Sequence, residues 1–214
     1  GLMIAGEAAL SNWDAGMDMY IYGKLGNLTM TKEGINVLMT NLTGKVPPIL
    51  QRLDYIRFNG EAAGYLHDLT LTGLFHTGAG MVKTDVMMSI DEQSMSRTYS
   101  GSVASADLDL GKLLNQEKKF GKVDFNVELK GFNYKNRYPE SYIKGIISSF
   151  EYSQYQYENI MLDGVYKDGG FNGRLSMDDA NGSVQIDGNF NVAKTIPDFN
   201  LKASVKNLRP HDLH

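Results

Sequence analysis

The stretch FNGRLSMDDANGSVQIDGNFNV, residues 171–192, decides the fold because apolar and polar residues alternate along nearly all of it. Apolar residues and glycine share one parity over 171–177, and they share one parity again over 184–192. Successive side chains of a β-strand point to opposite faces of a sheet, so the stretch predicts two half-buried strands. Residues 178–182 supply the turn, and we expect Asn181-Gly182 to provide its positive φ angles.

The same alternation recurs along the chain, which predicts strands from end to end. It is clearest at 69–73, 81–91, 122–131 and 199–207, and further strands are predicted at 2–8, 16–31, 35–43, 55–65, 97–107, 142–152 and 156–168. Hairpin turns are predicted at 32–34 and 168–170, where glycine follows charged residues. One apolar and one wet face per strand is typical of an antiparallel sheet.

Helical signals are few. Pro47-Pro48 followed by ILQRLDY predicts a short helix, because proline is tolerated in the first turn. Residues 106–121 predict a second, with Gly121 as its end. The fold class we expect is therefore all-β: an elongated, curved antiparallel sheet, forming a taco-like groove or an open sandwich, with one or two short helices.

We expect one β-rich module over residues 1–214, cut from a longer chain, with candidate sub-repeats at 42–107 and 121–208. The sub-repeats are suggested by a weak internal echo between residues 71–91 and 162–179, each of which reads Leu-x-Gly, a glycine turn and a strand ending in aspartate. Two hairpins that obey the same turn chemistry would produce the same echo.

Composition excludes several classes of function. The chain has a formal net charge of −4 and no basic cluster, so nucleic acid is not an expected partner. It has no cysteine, which excludes thiolate metal sites and cysteine nucleophiles. The four histidines lack metal-ligand spacing, and no nucleophile motif is present. We therefore expect no enzyme activity, no cofactor and no metal.

Tyrosines gather in two places. Tyr152, Tyr155 and Tyr157 lie close together, and Tyr20 and Tyr22 share a parity. We expect them to form ladders on the wet face of the sheet, where tyrosines pack across strands. A carbohydrate-binding platform would use the same residue type.

Three segments carry a resemblance to a known family. Residues 104–131 (ASADLDLGKLLNQEKKFGKVDFNVELKG), 155–192 and 42–60 resemble phrases of the AsmA-like and TamB family of Gram-negative envelope proteins, especially those of Bacteroidetes. The phrases are structural: a strand, an Asp-Leu-Gly-Leu-Leu helix, a Lys-Gly link and an alternating strand. The resemblance covers much of residues 42–208 and carries no catalytic residues.

The resemblance implies a location and two alternative functions. It implies a periplasmic module, anchored in the inner membrane by a segment outside this chain, whose apolar concave surface shields phospholipid acyl chains during transport between the membranes. The alternative is a scaffold for outer-membrane protein assembly that binds protein partners and not lipid. The candidate lipid-groove residues share the apolar parity: Phe125, Val127, Leu129, Phe171, Leu175, Met177, Val184, Ile186, Phe190, Phe199 and Leu201.

Overall fold

A single antiparallel sheet dominates the molecule. The computed structural model describes residues 1–12, 18–91, 93–94, 96–133, 140–191 and 197–207. Within these residues the sheet has thirteen strands, and each long strand pairs with the next one along the chain. The sheet does not close on itself, because β1 and β13 each have only one neighbour. The prediction of an open all-β sheet is confirmed.

The strands follow the predicted alternation closely, apart from the segment 35–43. Their bounds are β1 (Leu2–Ser11), β2 (Tyr20–Thr31), β3 (Tyr55–Tyr65), β4 (Asp68–Thr77), β5 (Gly80–Ile90), β6 (Arg97–Ala106), β7 (Leu108–Asp109), β8 (Phe120–Asn133), β9 (Glu140–Tyr152), β10 (Tyr155–Lys167), β11 (Gly170–Asp179), β12 (Gly182–Asn191) and β13 (Asp198–Lys206). The two-residue β7 pairs with β8 and lies off the main path. Where a short turn joins two strands, as from β9 to β12, the turn sets their pairing, but the longer segments 32–54 and 107–119 join β2 to β3 and β6 to β8.

The hairpin turns predicted at 168–170 and 178–182 are present and differ from the prediction in detail. At 168–170 the turn residues Asp168 and Gly169 have φ angles of 52° and 77°. At 178–182 Asp179 pairs with Gly182, whose φ is 143°. The positive φ predicted for Asn181 is wrong. Its backbone N–H donates to the Asp179 carboxylate at 2.8 Å, and this side-chain turn holds the chain without a left-handed asparagine.

The predicted strand at 35–43 and the hairpin turn at 32–34 are wrong, because the segment forms helix α1 (Lys32–Thr43). Thr31 caps its first turn by accepting from the Gly34 N–H, and Gly44 ends it in the left-handed conformation with φ 74°. Ile35, Leu38 and Met39 follow the i, i+3, i+4 spacing of a buried helix face. Burial of that face and the two caps override the β-propensity of Val37 and its neighbours.

Two shorter helices complete a small core at one end of the sheet. They are α2 (Pro48–Gln51) and α3 (Leu110–Leu114), so the described residues hold three helices and not one or two. The second predicted helix stops at Asn115, in the left-handed conformation, well before Gly121. None of the helices in the described part of the chain has the length and apolarity that crossing a bilayer requires.

The core lies where these helices meet β2, β3, β7 and β8. Its members are Met30, Ile35, Leu53, Ile56, Ala79, Leu108, Leu113 and Val123. Lys112 of α3 ties the helix to the sheet end, since its Nζ lies 2.7 Å from Asp54 Oδ2 and donates to the Gly78 carbonyl at 3.1 Å. The helices therefore cover one end of the apolar face, and no other element of the described residues lies over the rest of it.

Ile35→Ala tests whether α1 packs as described. Ile35 is 1% exposed, so truncation should lower the free energy of unfolding by about 2–4 kcal/mol through lost burial and a residual cavity. Val37→Ala is the matched control, because Val37 is 63% exposed on the other side of the same helix. Urea unfolding followed by circular dichroism measures both. Equal losses in the two variants would contradict the packing of α1.

Candidate functional site

One face of the sheet collects the apolar residues of the long strands. Directly paired residues of neighbouring antiparallel strands lie on the same face. Leu162, Leu175 and Ile186 are paired in succession across β10, β11 and β12, and Ala203 of β13 follows. Register places every predicted groove residue on this apolar face: Phe125, Val127, Leu129, Phe171, Leu175, Met177, Val184, Ile186, Phe190, Phe199 and Leu201.

Side chains of the apolar face are half-buried even where no described element lies over them. In β9, Ile143 and Ile147 of this face are half-buried, while Ile146 of the opposite face is 48% exposed. In β10, Leu162 is half-buried and Met161 is 53% exposed. The side chains shield one another, as expected on the inner side of a curved sheet, but they do not reach the burial of a closed core.

The end strand differs from the others. Phe199, Leu201 and Val205 of β13 are 59%, 43% and 51% exposed. Their partners in β12, among them Phe190 and Val184, are half-buried. The difference arises because β13 has a neighbour on one side only. Two of the predicted groove residues are therefore open to any partner that approaches this edge.

Glycines on the apolar face are partly covered by aromatic rings. Gly164, Gly173 and Gly188 are paired in succession across β10, β11 and β12. A glycine between larger side chains can leave open space on a sheet, but at Gly164 that space is filled. A Cβ built there would lie 2.5 Å from Cζ of Phe171, so the ring occupies the space above the glycine. A phenyl ring packed on a glycine shields the backbone of the strand beneath it.

The tyrosine cluster at residues 152–157 lies on the apolar side of the sheet, and the prediction that it lies on the wet face is wrong. Tyr157 is paired with Phe150, which packs against the core, and their rings are 6.4 Å apart. Tyr155 lies 4.6 Å from the Tyr157 ring, and its hydroxyl donates to Asp179 at 2.9 Å. The alternation changes sides at Asn159, whose φ is 51°. The cluster extends the core toward the hairpin end of β9 and β10.

The wet-face prediction holds for Tyr20, which contacts Tyr65 at 5.2 Å between ring centroids. Both belong to the parity opposite the apolar residues of β2 and β3.

Asp179, part of the adjacent carboxylate pair 178–179, accepts from Tyr155 and from the Asn181 N–H. That carboxylate therefore has a turn-forming role.

The polar face carries paired charges. Lys144 Nζ lies 3.4 Å from Asp163 Oδ2, and Arg174 Nε lies 2.7 Å from Asp187 Oδ1. A hydrogen bond from the Tyr142 hydroxyl, with the charges of Lys144 and Arg174, lowers the pKa of Asp163. Hydrogen bonds from Gln185 and Arg174 lower the pKa of Asp187. The bond to Asp163 raises the pKa of Tyr142 in return.

Two hollows on the polar face were not predicted from the sequence. One, of about 460 Å³, is lined by Met87, Thr98, Phe132, Tyr142 and Val165 among others. The other, of about 490 Å³, is lined by Ile146 and Met161 together with Asp163 and Arg174. The signal that could have found them is a large apolar residue at a polar parity, as at Met87, Phe132, Ile146 and Met161 on four different strands. They are surfaces to which a partner could bind.

No group of three or more His, Asp or Glu residues is arranged to hold a metal ion within the described ranges. His67 lies in the turn between β3 and β4, stacks on Tyr65 and faces Asp18 at 3.8 Å. His76 lies on β4 beside Arg57 of β3. The two histidines therefore lie at opposite ends of β4.

Comparisons of the chain with protein-family models, with curated proteins and with solved structures found no match.

Gly164→Ala tests the packing of ring on glycine. The new methyl group would meet Phe171 and the Asn172 carbonyl, 2.6 Å away, so we expect a loss of about 1–3 kcal/mol in the free energy of unfolding. Gly23→Ala is the control on the same face, because its nearest atom is 3.8 Å away. It should stabilise by about 0.4–1 kcal/mol through the unfolded state. Thermal unfolding of both proteins gives the comparison, and a neutral Gly164→Ala would contradict the contact.

The paired aspartates predict an acid-sensitive stability. The folded pKa values of Asp163 and Asp187 lie below their unfolded values, so their contribution is present above the ordinary carboxyl pKa of about 3.9. It is lost as the pH falls through the lowered folded values. The midpoint of urea unfolding should therefore fall below about pH 4 more steeply in the wild type than in Asp163→Asn/Asp187→Asn. Parallel curves for the two proteins would remove these carboxylates from the explanation.

Proposed function

We propose that the chain is a non-enzymatic periplasmic module whose apolar face shields phospholipid acyl chains on their way between the inner and outer membranes. The observation that carries this proposal is the half-buried apolar face, which continues from strand to strand and, among the described residues, is covered by helices at one end only. The periplasmic location of the module, and its anchor in the inner membrane through another segment, are proposed from the resemblance to AsmA-like and TamB proteins.

Physical chemistry supports an acyl chain as the occupant. An apolar surface that spans many strands is larger than the patches that soluble proteins commonly leave exposed, so it favours a greasy partner. Each methylene removed from water contributes about 0.8 kcal/mol, and partial insertion of one acyl chain is then enough to retain a lipid. The face offers hydrocarbon and aromatic side chains such as Leu162, Leu175 and Ile186, which suit an unbranched chain without requiring a specific headgroup.

A second candidate function is a scaffold that binds envelope assembly proteins. The exposed apolar residues of the polar face favour it, because Met87, Ile146 and Met161 are 51%, 48% and 53% exposed beside hollows. The open edges of β1 and β13 favour it too, since an unpaired strand edge can accept a partner strand. On this alternative the apolar face would be covered by protein and not by lipid.

Photo-crosslinking at neighbouring positions separates the two functions. A benzophenone amino acid replaces Ile186 on the apolar face or Gln185 on the polar face, and in a second pair Leu201 or Lys202. Each protein is incubated with vesicles of phosphatidylethanolamine and phosphatidylglycerol and then irradiated. We expect phospholipid adducts at residues 186 and 201 and none at 185 and 202, because only the first two positions contact acyl chains.

The second pair keeps the test interpretable, because Leu201 is 43% exposed and a bulky replacement there displaces little of the packed sheet. Circular dichroism confirms that each variant is folded. Equal labelling of the two faces, or no labelling in folded protein, would contradict the lipid proposal. Native mass spectrometry of protein purified without detergent provides an independent measurement, with bound phospholipid as the expected result.

A further inference from the structure

A row of polar residues crosses the whole sheet on its polar face. Each member is directly opposite the next in the strand pairing, and each long strand contributes one residue. The polar row consists of Glu7, Lys24, Glu61, Thr72, Asp85, Ser102, Glu128, Lys144, Asp163, Arg174, Asp187 and Lys202, in the order of the strands.

Charges alternate in sign at both ends of the polar row. From Glu128 on β8 to Lys202 on β13 every neighbour has the opposite sign. From Glu7 on β1 to Glu61 on β3 the signs alternate as well. Opposite charges placed directly across two strands stabilise their pairing, and like charges destabilise it. The row therefore ends in an anion at one edge of the sheet and in a cation at the other.

The backbone at the two edges has compatible hydrogen-bonding positions. The tight turn at Asp168 and Gly169 makes Lys167 and Gly170 a hydrogen-bonded pair. Such pairs alternate along an antiparallel ladder, and the register runs unbroken through β11, β12 and β13. It follows that the N–H and C=O groups of Leu201 and Ala203 point to the open edge.

On β1 the same alternation starts from Gly1, whose carbonyl accepts from the Thr31 N–H of β2 at 3.0 Å. The register shifts once, between Ala5 and Gly6, but the extra residue lies in β2, so odd-numbered residues of β1 are directed at β2 on both sides of the shift. The backbone groups of Gly6 and Ala8 point away from β2 to the other open edge. An antiparallel pair of β13 with a β1 strand would thus place free donors and acceptors opposite each other at Ala203 and Gly6.

We propose that β13 of one copy pairs antiparallel with β1 of a second copy, with Lys202 directly opposite Glu7. The polar row then continues across the junction with alternating charge. In this register Ser204 lies opposite Ala5 and Asp198 opposite Ser11. The contact is head-to-tail, so it leaves a free β1 on one copy and a free β13 on the other and builds open chains of copies.

Three constraints select this register. A slip of four residues would place Lys206 opposite Glu7, but only residues 202–206 and 7–11 would then pair, whereas the proposed register pairs 198–206 with 3–11. A slip of one residue would turn the apolar parity of β13 to the polar face of the neighbour. A slip of two residues would keep the faces but would place Lys202 opposite Ala5 or Ala9, which removes the charge pair. The added strand also covers the open side of Phe199, Leu201 and Val205, the most exposed part of the apolar face. The inference does not rest on lipid binding, because protein strands alone satisfy it.

Cysteine crosslinking reads out the register directly, since the chain has no cysteine of its own. Copies with Ser204→Cys are mixed with isotope-labelled copies with Ala5→Cys and oxidised. We expect a disulfide between the labelled and unlabelled copies. Ala9→Cys is the matched control, because Ala9 lies on the same exposed face but about 13 Å farther along the strand, beyond disulfide reach. Equal yields with the two partners, or no mixed product from folded protein, would overturn the proposal.

The double variant Ala5→Cys/Ser204→Cys distinguishes pairing between copies from pairing of β1 with β13 within one copy. A disulfide formed within one copy would mean that the sheet closes on itself, and this result would overturn pairing between copies. Crosslinked ladders of two, three and more copies are the expected product.

Charge exchange tests the role of Glu7 and Lys202. In sedimentation velocity at low salt, Lys202→Glu and Glu7→Lys should each associate about two- to five-fold more weakly than the wild type, because each places like charges opposite one another. Each single variant also places like charges opposite Asp187 or Lys24 within its own copy, and Glu7→Lys/Lys202→Glu in one chain keeps both of these pairs. Because the double variant restores opposite charges at the junction alone, it should associate more strongly than either single variant. A double variant as weak as the single ones would overturn the register. Stronger association of Lys202→Glu would also overturn it, since it would mean that Lys202 protects the edge from pairing.

Discussion

The structure depends on the pairing register of one antiparallel meander. Because each long strand pairs with the next long strand along the chain, the side of the sheet that a residue faces is set from strand to strand by the register. A slip of a single residue would move an entire strand's apolar side chains to water. The paired charges of the polar face, such as Arg174 with Asp187, contribute little energy each when exposed, but they penalise a wrong register.

This constraint produces a sheet with more apolar surface than the helices of the described residues cover. Helices α1, α2 and α3 bury Ile35, Leu53 and Leu113 at one end, and the remaining apolar side chains shield one another only in part. Rings packed on glycine, as Phe171 on Gly164, are a local means of covering backbone without a second layer. The proposed lipid partner would bury the apolar side chains that the fold leaves half-exposed.

The two proposals concern different parts of the same sheet. Lipid shielding uses the apolar face, whereas the pairing of copies uses the edges and the polar row. If both hold, head-to-tail pairing would extend one apolar face over several copies, because the register with Lys202 opposite Glu7 keeps the faces aligned. Each proposal has its own measurement, so either can fail alone.

Local sequence alone determined most strands, several turns and the side that most residues face. The alternation over 171–192 and the glycine turn at 168–170 need no distant information, and the structure follows them. The helix at α1 was within reach, because Thr31, Gly44 and the spacing of Ile35 and Leu38 are local signals that outweigh a β-rich composition.

Tertiary structure decided what depends on residues far apart in the chain. Tyr155 and Tyr157 change sides because Asn159 adopts a left-handed conformation, and period-two reading cannot anticipate such a break. Whether the sheet closes, which hollows form on its polar face, and which charges meet across it depend on the exact pairing of strands. Glu7 and Lys202 are 195 residues apart in the sequence, and only the accumulated register of the intervening strands places them in one row.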